Sequence, residues 1–194
     1  MQNQNRPFYR RPIPLIASIL VCLALTIAAS ILLPAMNRAK ETANRAKCSK
    51  TLKALAHAVY LYANENHWIC PDRIENLMLR EDIAPEIFIC PSSSDTPATG
   101  QTPEQTAAAL ATPGHCSYIY LANPQTKFDD PNIVLLFEPM KNHGDGFHAV
   151  FADLHVEFIT GAEAPKIQAE LQAHQNPPPS RPKISPPTSH PAKQ

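Results

Sequence analysis

Sixteen residues, HGDGFHAVFADLHVEF (His143 to Phe158), hold three histidines (His143, His148, His155) and three acidic side chains (Asp145, Asp153, Glu157). Imidazole nitrogens and carboxylates ligate zinc and serve as acids and bases in hydrolysis. The segment therefore invites a metal or catalytic reading, with His115 as a further recruit. Spacing argues against it. Phe147, Ala149 and Phe151 alternate with His148, Val150 and Ala152, and His155 to Ile159 alternates likewise, which is the period of a strand. With Asp153-Leu154 as a two-residue turn, Ala152 pairs with His155, Phe151 with Val156 and Ala149 with Phe158. Phe147, Ala149, Phe151, Val156 and Phe158 are then expected to form the core face. His148, Val150, Ala152, His155 and Glu157 take the other. On that ladder His148 and His155 stand about 13 Å apart, too far to share one ion. His143 lies further back and Asp153 sits at the turn. The expectation is a structural hairpin, with no catalytic, cofactor-binding or metal-binding residue. Nor does the chain carry an HExxH, GxSxG or P-loop pattern.

What must position this hairpin is written upstream. The chain has 194 residues, a formal net charge of zero and a pI near 7.1, with no basic excess to suggest nucleic acid. Ile13 to Leu33 is a run of 21 residues without a charge. At 1.5 Å per residue it spans roughly 31 Å, the thickness of a bilayer's hydrocarbon core. Residues 1–12, with Arg6, Arg10 and Arg11, are a basic flank. The run is too long for a typical signal-peptide core, and Leu33-Pro34 is a poor cleavage context, so it reads as a retained single-pass anchor.

Residues 34–66 follow without Gly and with Pro only at position 34, a candidate bend. Cys48, Leu52, Leu55, Val59 and Tyr62 step by four and three onto one helical face, with Ala39, Ala43 and Ala46 as a slimmer strip before them. This is an amphipathic helix for the soluble part to pack on. Residues 67–175 make a globular α+β domain of about the length one core supports. It is expected to contain a short helix near Arg73 to Leu79, a strand at Ile87 to Cys90, and a helical turn near Glu104 to Leu110. Strands at Ser117 to Leu121 and Asn132 to Glu138, the hairpin, and a helix over Ala164 to His174 complete it. Residues 176–194 contain seven of the chain's 21 prolines and read as a disordered tail.

Orientation divides the signals. Arg38, Lys40, Arg45, Lys47, Lys50 and Lys53 follow the anchor, and the positive-inside rule would keep the domain in the cytoplasm. Outside the anchor, which holds Cys22, there remain Cys48, Cys70, Cys90 and Cys116. That even set suits two disulfides in an oxidising compartment. No C-x-x-C is present. Three pairings of four cysteines stay open.

Taken in order, Leu33-Pro34-Ala35, Cys48, Leu52-Lys53 and Tyr62, then Phe88-Ile89-Cys90-Pro91-Ser92, then Ser117-Tyr118, then His143 to Val156 resemble a known set of proteins. These are the bacterial prepilin-type, pseudopilin-like proteins of the planctomycete type that carry a His-x9-Asp-Gly motif. The motif residues would be His143 and Asp153. The resemblance spans about residues 30 to 160. It implies a transmembrane helix running into a long amphipathic helix packed on a small antiparallel sheet, and a domain displayed on the periplasmic side of the inner membrane. It also implies a Cys48–Cys90 disulfide, leaving Cys70–Cys116. Two departures stand out. The family's Asp-Gly turn is Asp153-Leu154 in this chain. The processing glycine and assembly glutamate of pilins fall on Pro12 and Ala17, so the chain is expected to remain unprocessed.

The resemblance implies a membrane-anchored structural protein without enzymatic activity. Its partners would be the inner membrane and a type II secretion or type IV pilus-like machinery, or further copies of itself, with no cofactor and no nucleic acid. Two other readings compete: a periplasmic metal-binding module built on the histidines, and an adaptor that recruits a partner through its proline-rich tail.

Overall fold

The computed structural model describes residues 13–184, with side chains from Ala17 onward. The basic flank 1–12, Pro12 and the last ten residues of the tail lie outside the described residues. Helix α1 (Ile13–Glu65) is a single helix of 53 residues that carries Pro34 within it. Contacts divide the chain into two units, residues 1–42 and 43–194.

In the first unit the described residues are all helical, and residues 17–33 are exposed throughout. They include Ile19 at 62% and Leu33 at 62%. One 18-residue window in α1 has a mean hydropathy of 2.5 and is long and apolar enough to cross a membrane.

The second unit begins in the same helix. Its C-terminal half buries Cys48, Leu52, Leu55 and Val59 completely, as the spacing predicts, together with Ala56 and Ala63. Tyr62 is half-buried, whereas Ala39, Ala43 and Ala46 are exposed, so the expected alanine strip covers nothing. A helix packs only where a partner surface reaches it, and the buried face starts at Cys48.

After α2 (Glu75–Arg80) and α3 (Pro103–Leu110) come strands β1 (Ile119–Tyr120), β2 (Val134–Phe137), β3 (Gly146–Phe151) and β4 (Val156–Thr160), then α4 (Ala164–Gln172). The four strands form one antiparallel sheet in the order β1-β2-β3-β4. The fold is therefore α+β, with a long apolar N-terminal helix and a small antiparallel sheet. Thr102 caps α3 by accepting the Gln105 N–H, and Pro103 occupies its first turn. The strand expected at Ile87 to Cys90 is instead a 3-10 turn, Pro85–Phe88. Pro85 has no N–H and its fixed φ suits the first turn of a 3-10 helix, and only five residues separate it from Pro91.

The hairpin differs from its expected register by one residue. Val150 pairs with Val156, Ala149 with Glu157 and His148 with Phe158. The loop is three residues, Ala152 to Leu154, closed by the Phe151 N–H to the His155 carbonyl (2.9 Å) and the Leu154 N–H to the Phe151 carbonyl (2.8 Å). Leu154 occupies the left-handed position at φ +68° that such loops require of their last residue. A shift of one moves every β4 side chain to the opposite face.

The sheet is consequently buried on both sides. Phe147, Ala149, Phe151 and Ile159 meet Ala164, Ile167 and Leu171 of α4, with Val134 and Phe137 of β2. Leu136, Val150 and Ala152, with half-buried Val156, meet the buried face of α1. Phe158 moves with Val156 to that second face, where its ring centroid lies 4.7 Å from that of His148. His148 is thus buried, not surface-exposed as the alternation suggests.

Leu154→Gly should raise stability by roughly 0.5–1 kcal/mol, because glycine occupies positive φ without a Cβ clash. Denaturant unfolding of the full chain in detergent measures it, and a loss of stability would show that the half-buried leucine side chain outweighs its backbone strain.

The segment after α4 is held in place as far as it is described. The Asn176 side chain donates to the Val134 carbonyl (2.7 Å) and accepts the Val134 N–H (2.8 Å). The Glu170 carboxylate takes the Ser180 N–H (2.9 Å) and its hydroxyl. The Arg181 guanidinium lies 4.0 Å over the Phe151 ring and binds Glu157. Residues 176–184, assigned to the tail by their prolines, are thereby fastened to the domain.

Candidate functional site

Beneath the sheet, on the α1 side, four potential ligand-bearing side chains converge. They are Cys48, Cys90, Glu138 and His143, all buried, with one ligand atom of each within 4.8 Å of the others. Each comes from a different stretch of chain. Cys48 opens the buried face of α1. Cys90 follows the 3-10 turn that ends at Phe88, and its carbonyl is tied by the Ser93 N–H (2.9 Å) and hydroxyl (2.8 Å). Glu138 directly follows the wholly buried strand β2, and its N–H is paired to the His148 carbonyl at 3.1 Å. His143 arrives through the 3-10 turn Met140–Asn142.

The glycines around His143 are geometric necessities. Gly144 turns the chain at φ +80°, which an L side chain rarely adopts. At Gly146 a Cβ would stand 2.5 Å from the Ile159 carbonyl oxygen, so the strand enters the sheet only without one. Together they let His143 point inward while β3 starts three residues later.

Inside the cluster the Cys48 and Cys90 sulfurs are 2.8 Å apart, and both cysteines are free thiols. The Cys90 sulfur is 3.7 Å from His143 Nε2. His143 Nε2 is 3.1 Å from Glu138 Oε1. The same oxygen meets His148 Nδ1 and accepts the His148 N–H at 3.1 Å. The other oxygen, Oε2, is buried without a hydrogen-bond partner, as is the Tyr118 hydroxyl. Arg45 borders the cluster, donating from Nη2 to the His143 carbonyl (3.3 Å) and to Asp145.

Electrostatics follow from this crowding. Burial pushes the Glu138 carboxyl up, but hydrogen bonds from His143 and His148 outweigh it and hold the group at about 2. The hydrogen bond with Cys90, reinforced by burial, raises the Cys48 thiol far above the ordinary range. The same bond lowers Cys90 against the opposing effect of burial. Burial pushes the Tyr118 hydroxyl well up.

No family model, no curated protein and no solved structure matches this chain. The residues must speak for themselves.

Of the histidines and acids singled out by the sequence, only His143 enters the cluster, with His148 behind it; Cys48 and Cys90, the pair expected as a disulfide, also meet there, as free thiols. His155 lies flat on Phe151, centroids 4.3 Å apart, and its ring meets the Asp153 carboxylate in the turn. A ring nitrogen of His115 meets the Thr96 carbonyl at 2.9 Å. The two motif residues are therefore separated: His143 lies before β3 and Asp153 after it. Cys70 and Cys116 are free thiols raised to about 11 by burial, and the Cys116 thiol donates to the Tyr118 carbonyl at 3.2 Å.

Glu138 is the site residue that the sequence reading passed over. Its signal was present: a lone acid closing the apolar run NIVLLFE, immediately before Pro139. A charge at the end of a strand buried on both faces needs partners. His148 and His155 were expected on one face; the register instead puts them on opposite faces, His148 beside Phe158 and His155 on Phe151, and the sequence argument weighed only histidines within one hairpin.

Proposed function

We propose that the chain is a single-pass inner-membrane protein whose domain, residues 43–184, is displayed on the periplasmic side as a pseudopilin-like structural element without enzymatic activity. The observation that carries this reading is the unbroken exposure of residues 17–33, a charge-free and mostly apolar stretch, in a helix whose later turns form one wall of the domain core. Apolar surface of that extent is stable only in lipid or against protein. The order of Pro34, Cys48, Phe88-to-Ser92 and His143-to-Val156 supports pseudopilin likeness. On this reading the chain serves or neighbours a type II secretion or type IV pilus-like machinery. Ala17, at the position of the assembly glutamate, favours a membrane-retained subunit over a polymerising one.

Two measurements test it. Protease added to spheroplasts should digest the C-terminal domain, and a domain cleaved only after lysis would place it in the cytoplasm. Intact-mass analysis of the membrane-extracted protein should retain residues 1–12, whereas a chain beginning at Ile13 would mean that it is processed as a pilin.

A further inference from the structure

We propose that Cys48, Cys90, Glu138 and His143 form a closed four-ligand site for a zinc-type divalent cation. The donors would be two sulfurs, one carboxylate oxygen and the His143 Nε2. A tetrahedral zinc centre has bonds of about 2.3 Å to sulfur and about 2.0–2.2 Å to nitrogen and oxygen. Its edges are then roughly 3.8 Å between sulfurs, 3.5 Å from sulfur to nitrogen and 3.4 Å from nitrogen to oxygen. The Cys90–His143 separation of 3.7 Å already lies near those edges, and one donor atom of each of the four residues lies within 4.8 Å of the others.

The sulfur pair at 2.8 Å stands between two chemistries. It is about 1 Å narrower than the zinc edge and about 0.8 Å wider than a disulfide bond. Either is reached by a small rotation of a cysteine side chain, so the pair alone does not decide. Glu138 does. A disulfide would satisfy the sulfurs but leave Glu138 Oε2, a buried carboxylate oxygen beside them, without a hydrogen-bond partner. A cation accounts for all four. It takes the free carboxylate oxygen and compensates the negative charge gathered away from solvent.

The surroundings suit a metal as well. His148 holds the Glu138 oxygen that would not ligate, and Arg45 holds the His143 carbonyl, the kind of outer hydrogen bonding that orients ligands. Two sulfurs with nitrogen and oxygen in a tetrahedral set select zinc over calcium or magnesium. With four protein donors the site has no open position for water, so its role would be structural. Binding is not a redox step: two sulfur–metal bonds form as two thiol protons leave to solvent, and the His143 proton passes from Nε2 to Nδ1 so that the Nε2 lone pair faces the metal. Once the domain is folded, both sulfurs are buried from external oxidants.

The test uses the full chain extracted in detergent without reductant or chelator. Elemental analysis should find about one zinc per chain, the stoichiometry of a four-donor site. Alkylation under denaturing conditions should find Cys48 and Cys90 both as thiols. Cobalt exchanged into the wild-type protein should give a sulfur-to-cobalt charge-transfer band and tetrahedral d–d bands, a readout that does not depend on any variant folding. Glu138→Gln and His143→Gln should lose most of the bound metal. His148→Ala, which removes only outer support, should weaken it by roughly 10–100-fold. Phe151→Ala, on the other face of the sheet, should retain it. A metal-free protein with a Cys48–Cys90 cross-linked peptide overturns the proposal. So does protein that keeps both thiols free yet takes up no zinc or cobalt.

Discussion

Phe151→Ala lowers the unfolding free energy by about 3–5 kcal/mol, the range for deleting a fully buried phenylalanine. The ring is completely buried between the sheet and α4. It is also clasped from two sides, by the stacked His155 imidazole and by the Arg181 guanidinium 4.0 Å above it. Truncation would leave a cavity and strip Arg181, itself buried, of a contact that fixes residues 176–184 to the domain. Urea unfolding of the full chain in detergent, followed by near-ultraviolet circular dichroism, measures the loss. A change below about 1 kcal/mol, within the usual range of surface substitutions and their neighbours, would mean that the α4 face of the sheet does not hold the domain together.

Glu138→Ala should cost about 3–5 kcal/mol even in the presence of a chelator, because it breaks a buried pair from one side. The Glu138 Oε1 oxygen takes His143 Nε2, His148 Nδ1 and the His148 N–H. Removing it strands three polar groups away from water. Glu138→Gln keeps an acceptor oxygen and most of the volume, so it should recover part of that loss, leaving a deficit of roughly 1–3 kcal/mol. Chelator separates this contribution from any metal, since it removes the ion from wild type and variant alike. Equal stability of Glu138→Ala and wild type in chelator would show that the two histidines find other partners.

The parts of this fold legible in the sequence are those with a strong local period. Cys48, Leu52, Leu55 and Val59 declared their face through steps of four and three, and NIVLLFE declared a strand. The hairpin was legible in kind but not in register. Alternation alone fits a two-residue turn and a three-residue loop equally well, and both place Leu154 at positive φ; the Phe151–His155 pairing, with Leu154 alone of the loop at positive φ, distinguishes them. That pairing decided whether Phe158 joined the α4 core or stood beside His148. Burial of His148 was hidden for a related reason. A sheet covered on both faces erases the rule that polar side chains point outward. The cluster was beyond local reading altogether, since Cys48, Cys90 and the short segment that carries Glu138 and His143 are separated in the chain by dozens of residues and meet only through tertiary packing.

Asn176 carries one more consequence. Strand β1 is only two residues long and pairs with Leu136 and Phe137, so it stops short of Val134. The amide of Asn176 fills that place, giving Val134 the donor and acceptor that a neighbouring peptide group would provide. Without it, β2 would offer bare main-chain groups on which a strand from another molecule could template. A side chain borrowed from beyond α4 thus acts as a stopper against fibre growth. On the membrane-anchored reading proposed above, where neighbours confined to a plane meet constantly, such a stopper would keep encounter from becoming irreversible aggregation.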